Sequence, residues 1–172
     1  ILDIATGTGD LVIALAKIET SKIIGLDISP GMLEIGKEKV ITHDLSHRIE
    51  MQLGDSEMLH YNDEYFDAVT VAFGVRNFEN LDKGLSEILR VLKPNGTLVI
   101  LETAVPKNSL LKALYNLYTQ NVMPLLGKLF SKDKSAYQYL SDSAASEVGV
   151  YASELIKEHI VKSLENILND EN

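Results

Sequence analysis

Four positions, two glycines and two aspartates, carry the strongest chemical signal in this 172-residue chain. A short apolar run, Ile1-Leu2-Asp3-Ile4-Ala5, leads through Thr6-Gly7-Thr8-Gly9 to Asp10 and straight into a helical pattern. Glycines at 7 and 9 let the backbone turn sharply and come close to a ligand, and the helix N-terminus behind them suits polar or anionic groups. A nucleotide-type ligand fits this arrangement; a plain tight turn is the alternative. A second apolar run ends in Gly25-Leu26-Asp27, eighteen residues after Gly9. That is about the spacing at which a carboxylate accepts from ribose hydroxyls in nucleotide-binding βαβ units. The competing role for Asp27 is partner to the next helix, but Ser29 stands at that cap position. Gly54-Asp55-Ser56-Glu57 supplies another acidic loop end, where Asp55 would accept from an adenine amino group or simply belong to a polar loop.

These residues need a scaffold that brings strand ends together. From Ile1 to Glu102 short apolar runs alternate with helical patterns, which predicts βαβ units and a mostly parallel sheet. The expected strands are Ile1–Ala5, Lys22–Ile28, Arg48–Leu53, Phe66–Phe73 and Thr97–Glu102. A helix is expected over Asp10–Ile18, and a second starts at Ser29-Pro30, an N-cap followed by an N1 proline. Leu81, Leu85, Ile88, Leu89 and Leu92 mark a third, which Pro94-Asn95-Gly96 stops and turns. Further on, Leu110 to Phe130 is helical and strongly apolar with one break at Pro124, and reads either as core packing or as a wall around a greasy ligand. Ser153–Leu168 reads as an amphipathic helix.

Bulk properties narrow the classes. Hydrophobic residues at 45% and charged residues at 24% are globular averages, and no apolar run reaches the roughly 18 to 20 residues of a membrane span. A formal charge of −9 argues against nucleic acid as a partner, because phosphate binding needs Lys and Arg. The chain has no cysteine, hence no disulfide frame and no thiolate metal site. His43, His47, His60 and His159 lack metal spacing, so no metal is expected. The dinucleotide fingerprint requires a third glycine for a helix to approach a pyrophosphate; Val12 stands there, which disfavours a nicotinamide oxidoreductase.

Two further segments, Asp67 to Phe78 and Arg90 to Gly96, give the sequence a resemblance. It resembles the UbiE/MenG family of quinone C-methyltransferases in D-I-A-T-G-T-G-D from Asp3, G-L-D-I-S from Gly25, F-G-V-R-N from Phe73 and R-V-L-K-P-N-G from Arg90. Phe-Gly-x-Arg-Asn is the most specific of these, with Leu125 to Leu129 and Ser135 to Leu140 also similar. The resemblance covers roughly Ile1 to Ala144 and implies a Rossmann-like class I methyltransferase fold, an α/β architecture of mostly parallel sheet flanked by helices. It implies S-adenosylmethionine as cofactor, with Asp3, Gly7, Thr8, Gly9, Asp27, Asp55, Ser56 and Ala72 at its site; Arg76 and Asn77, after the fourth strand, are the candidate catalytic pair. Residues 1–144 are then one methyltransferase domain with an apolar substrate-side segment at about 108–140, and 145–172 a tail.

Departures accompany the resemblance. Asn95 replaces a glycine, a change a turn tolerates because asparagine accepts positive φ. The family's N-terminal segment and closing antiparallel strands are not recognisable, so an upstream segment is expected. The implied reaction is C-methylation of a quinol ring, demethylmenaquinol to menaquinol, and also of ubiquinone precursors. Alternatives are methylation of another small molecule or lipid, and a cofactor-binding fragment without turnover. Arg76 would stabilise the developing phenolate with Asn77 orienting it, or else Arg76 pins its loop to an acidic neighbour such as Glu102. The remaining expectations are a polyprenyl quinol partner, a homodimer, and a cytoplasmic location with peripheral contact at the inner face of the membrane.

Overall fold

The computed structural model describes residues 1–20, 22–102, 108–118 and 121. Five parallel strands form one sheet in the order β3-β2-β1-β4-β5: β1 Leu2–Ile4, β2 Ile23–Asp27, β3 Ile49–Leu53, β4 Phe66–Ala72 and β5 Leu92–Leu101. Helices α1 (Asp10–Leu15), α2 (Pro30–Thr42) and α3 (Leu81–Val91) connect them, with a 3₁₀ turn at Val75–Asn77. The chain runs outward from β1 through β2 to β3, then returns to pair β4 with the other edge of β1. Right-handed crossovers therefore put α1 and α2 on one face and α3 on the opposite face. The reversal lies between β1 and β4, and ligands of open α/β sheets bind beyond the strand carboxyl ends at such a point. Ile1–Glu102 is one compact unit, and α4 (Ser109–Leu117) belongs to a second, Thr103–Asn172.

The apolar periodicity becomes core as the sequence suggests. Val12, Ile23, Leu33, Val40, Ile49 and Met51 form a buried cluster beneath α1 and α2. Leu85, Ile88 and Val91 are buried along α3. Ser29 caps α2, its hydroxyl accepting from the Met32 amide, and Pro30 opens the helix. Asn80 caps α3 by accepting from the Lys83 amide, and its own amide donates to Glu57 Oε1 at 2.7 Å. Arg90 donates to the Leu59 and Tyr61 carbonyls and to Asp63 and Glu87. This part of the R-V-L-K-P-N-G motif thus ties α3 to the connection between β3 and β4.

Two boundaries differ from the sequence expectation by three residues or more. The first helix stops at Leu15 rather than Ile18, because the chain tightens into an i−3 bond from the Lys17 amide to the Ala14 carbonyl. Arg48 then takes the carbonyls of Ala16, Ile18 and Thr20. The fifth strand begins at Leu92, not Thr97. Phe66 pairs with Leu92 and Ala68 with Thr97, so Pro94-Asn95-Gly96 is a bulge within the strand rather than a turn before it. Asn95 takes φ 60° there, the left-handed conformation that asparagine tolerates. The expected helix at 153–168 and the apolar stretch beyond 121 lie outside the described residues. No helix among the described residues is long and apolar enough to cross a membrane.

Candidate active site

At the switch point the turn after β1 is held to the end of β2. Gly7 (φ 56°) and Gly9 (φ 79°) are both left-handed, the conformation that costs glycine nothing. The Gly7 amide donates to Asp27 Oδ2 at 2.8 Å, and the Ser29 amide to Asp27 Oδ1 at 2.8 Å. Asp27, buried at the last position of β2, thus also does the structural work that the sequence assigned to Ser29 alone. Each carboxylate oxygen accepts one of these bonds and retains capacity for another. Leu53 stands opposite Asp27 in the β2–β3 ladder, and the Gly54 amide donates to the Asp27 carbonyl at 3.0 Å. The two acidic loop ends are therefore adjacent strand ends, as a shared ligand would need.

The remaining residues occupy varied places. Asp55 is exposed, its Oδ1 accepting from the Glu57 amide at 2.9 Å, and Ser56 beside it is half-buried. Ala72 ends β4, half-buried. The Thr8 hydroxyl donates to Asp10 at 2.9 Å and accepts from Lys39 at 3.0 Å. Asp3 sits at the centre of β1 and is buried, with Oδ1 accepting from the Thr70 hydroxyl at 2.5 Å. Burial raises its pKa, and the neighbouring Thr6 and Thr70 hydroxyls oppose that rise. Its place is inside the sheet, one residue short of the strand's end.

The Phe-Gly-Val-Arg-Asn segment folds into the turn after β4. Arg76 Nη1 pairs with Glu102 Oε1 at 2.6 Å, and its amide donates to Oε2 at 3.3 Å. Both side chains are nearly buried, 5% and 10% exposed. This pairing is the loop-pinning arrangement that the sequence left open. Asn77 is exposed, and its amide closes the turn on the Gly74 carbonyl. Phe73 takes φ 56° and remains 46% exposed, a strained residue at a strand end of the kind that collects at functional sites.

Gly74 is fixed by close approach. A Cβ there would lie 2.4 Å from the Ala5 Cβ, so the loops after β1 and β4 touch only because Gly74 lacks one. Gly74→Ala is expected to destabilise the fold by about 1–3 kcal/mol, the cost of overpacking. Ala5→Gly in the same chain should restore most of it, since it clears the space and relieves φ 56° at Ala5. Urea denaturation of the single and double variants checks this, and an unchanged midpoint for Gly74→Ala would mean that the loops are not in contact.

Among the described residues no group of His, Asp and Glu could hold a metal ion. His43, His47 and His60 are exposed, and His159 lies outside the described residues. Lys39 was not anticipated. The only sequence signal was Gly36, which shares the buried face of α2 with Leu33 and Val40. An oriented carboxylate suits a ribose diol, and beside it Ile28, next in the chain, and Leu53, opposite in the ladder, are 73% and 64% exposed, apolar surface suited to a base.

The chain is 51% identical over 141 residues to the demethylmenaquinone methyltransferase of Bacteroides fragilis, covering 81% of this chain and 58% of that protein. It is 47% identical over 145 residues to the ubiquinone/menaquinone biosynthesis C-methyltransferase UbiE of Geotalea daltonii, covering 83% and 61%. The chain thus spans about three-fifths of the length of these curated relatives. A crystal structure of a SAM-dependent methyltransferase from Aquifex aeolicus superposes with a TM-score of 0.57 at 26% identity, over 63% of this chain and 58% of that one. The glycine turn, the acidic end of β2 and the Phe-Gly-Val-Arg-Asn turn all lie within residues 1–159, which match the model of the ubiE/COQ5 methyltransferase family, and the chain belongs to that family.

Proposed function

We propose that this chain binds S-adenosylmethionine and methylates a carbon of a polyprenyl quinol ring, converting demethylmenaquinol to menaquinol. The observation that carries the reading is Asp27. Its carboxylate is aimed by the amides of Gly7 and Ser29 at the sheet's switch point, where a ribose diol would find a buried, pre-oriented acceptor. Kinship with the Bacteroides fragilis enzyme supports the quinol. The name of the Geotalea daltonii relative covers both quinone types, so benzoquinol precursors of ubiquinone are further candidate acceptors.

The cofactor supplies an electrophilic methyl on a sulfonium. In the transfer a C–C bond forms as the C–S bond breaks, and the ring carbon's proton leaves to solvent. The protein's part is to position, to exclude water and to favour the ring's phenolate. Asp27 and Asp55 would hold the ribose and the adenine amino group. The exposed apolar residues Ile28 and Leu53 would cover the base. Arg76, placed by Glu102, would lower the energy of the developing oxyanion, with Asn77 at the same turn. In α4, Leu110, Leu111, Leu114 and Leu117 are more than half exposed, a greasy surface that would suit an isoprenoid tail. Such a tail is insoluble, so the enzyme would work against the inner face of the membrane.

Transfer of labelled methyl from S-adenosylmethionine to demethylmenaquinol tests the reading. Label in menaquinol is the expected result. Binding of S-adenosylhomocysteine without transfer to any quinol would leave only a cofactor-binding module, and binding of NADH in its place would reject the cofactor.

A further inference from the structure

We infer that Lys39 is a positioning residue for the glycine turn, clamping Thr8 and Asp10 from α2 and thereby setting the shape of the surface that Gly7 shares with Asp27. The inference rests on the proposed cofactor reading of that crevice. Lys39 Nζ donates to Thr8 Oγ1 at 3.0 Å and to both carboxylate oxygens of Asp10 at 2.9 Å. The Thr8 hydroxyl donates in turn to Asp10 Oδ2 at 2.9 Å, which closes a ring of three side chains. An ammonium has three donors, so this contact set engages all of them.

The clamp acts where the backbone is freest. Thr8 lies between Gly7 and Gly9, both at positive φ, and glycine surrenders more conformational entropy on ordering than any other residue. A second contact brings α2 to the same place. A Cβ on Gly36 would stand 3.3 Å from the Thr8 carbonyl carbon and 3.4 Å from its oxygen. The helix backbone therefore rests on Thr8, and Lys39, three residues further on, reaches the turn from there. Bonds from Lys39, first, and from Thr8 hold the Asp10 carboxyl below its ordinary range, so it is ionised at neutral pH.

The pair is too exposed to matter much for global stability. Asp10 is 79% and Lys39 35% exposed, and such ion pairs contribute little. The effect should be local instead: order in the turn, and through it cofactor affinity. Lys39→Met should speed amide exchange at Gly7, Thr8 and Gly9 several-fold while leaving β2 and the rest of α2 protected. S-adenosylhomocysteine should bind about three- to fivefold more weakly, the ratio that up to about 1 kcal/mol gives. The melting temperature should stay within about 2 °C, and Lys39→Arg should recover most of the affinity. Unchanged exchange and affinity in folded Lys39→Met overturn the clamp, and so does exchange that rises uniformly with a fall in melting temperature. If the unaltered chain fails to bind S-adenosylhomocysteine, the cofactor reading falls. Faster exchange confined to the turn would then show a clamp that orders the fold but does not serve this cofactor.

Discussion

Arg76→Ala is expected to lower turnover by about a hundredfold or more, the scale seen when an oxyanion donor is lost, while leaving cofactor affinity nearly unchanged. It is also expected to cost about 3 kcal/mol or more in stability. Arg76 and Glu102 are nearly buried against each other, and removing one partner of such a pair strands the other's charge. The two effects must be separated, and Glu102→Gln does so. Glutamine keeps the size and one acceptor oxygen, so the arginine remains near its place with its charge. If Arg76 stabilises the phenolate, Glu102→Gln should lose stability but far less rate than Arg76→Ala. If the arginine only pins the turn, the two variants should lose rate in proportion to their instability. Single-turnover rates, titration with S-adenosylhomocysteine and urea denaturation of both variants give the three quantities. Equal losses of affinity and rate in Arg76→Ala would remove the residue from the chemistry.

Asp27→Ala is expected to weaken S-adenosylmethionine binding by more than tenfold, since hydrogen bonds to a charged group are worth roughly 1.5–3 kcal/mol. The structure adds a second consequence. Asp27 also accepts from the amides of Gly7 and Ser29, and a buried donor left without a partner costs about 1–3 kcal/mol. The variant should therefore melt earlier, and its affinity must be read by calorimetry at a temperature where circular dichroism shows it folded. Asp27→Asn should fall between, because the amide oxygen can satisfy one of the two backbone donors and its nitrogen opposes the other. Unchanged affinity in folded Asp27→Ala would exclude a ribose contact at this position.

What the sequence determined by itself was local. The alternation of apolar runs and helical periodicity gave five strands and the helices between them, because each rests on windows of about ten residues. The start of α2 at Ser29-Pro30 and the left-handed turn at Gly7 and Gly9 were legible for the same reason: one residue's chemistry sets one backbone conformation. The acidic ends at Asp27 and Asp55 could be marked as neighbours, since a parallel sheet collects its strand ends on one edge.

Only the tertiary structure decided what those side chains touch. The return of the chain to β4 beside β1 puts the Phe73–Asn77 turn against the Ala5–Gly9 turn, and the bare Gly74 is what allows them to meet. Asp27 proved to be both a structural acceptor and a candidate ligand contact. Thr8 was bonded by Lys39, and Arg76 was paired with Glu102. Gly7 and Asp27, Arg76 and Glu102, and Thr8 and Lys39 stand 20, 26 and 31 residues apart along the chain. No local periodicity encodes such pairs, because they depend on strand order and on how closely a helix packs, and those are set by burying the whole sheet at once.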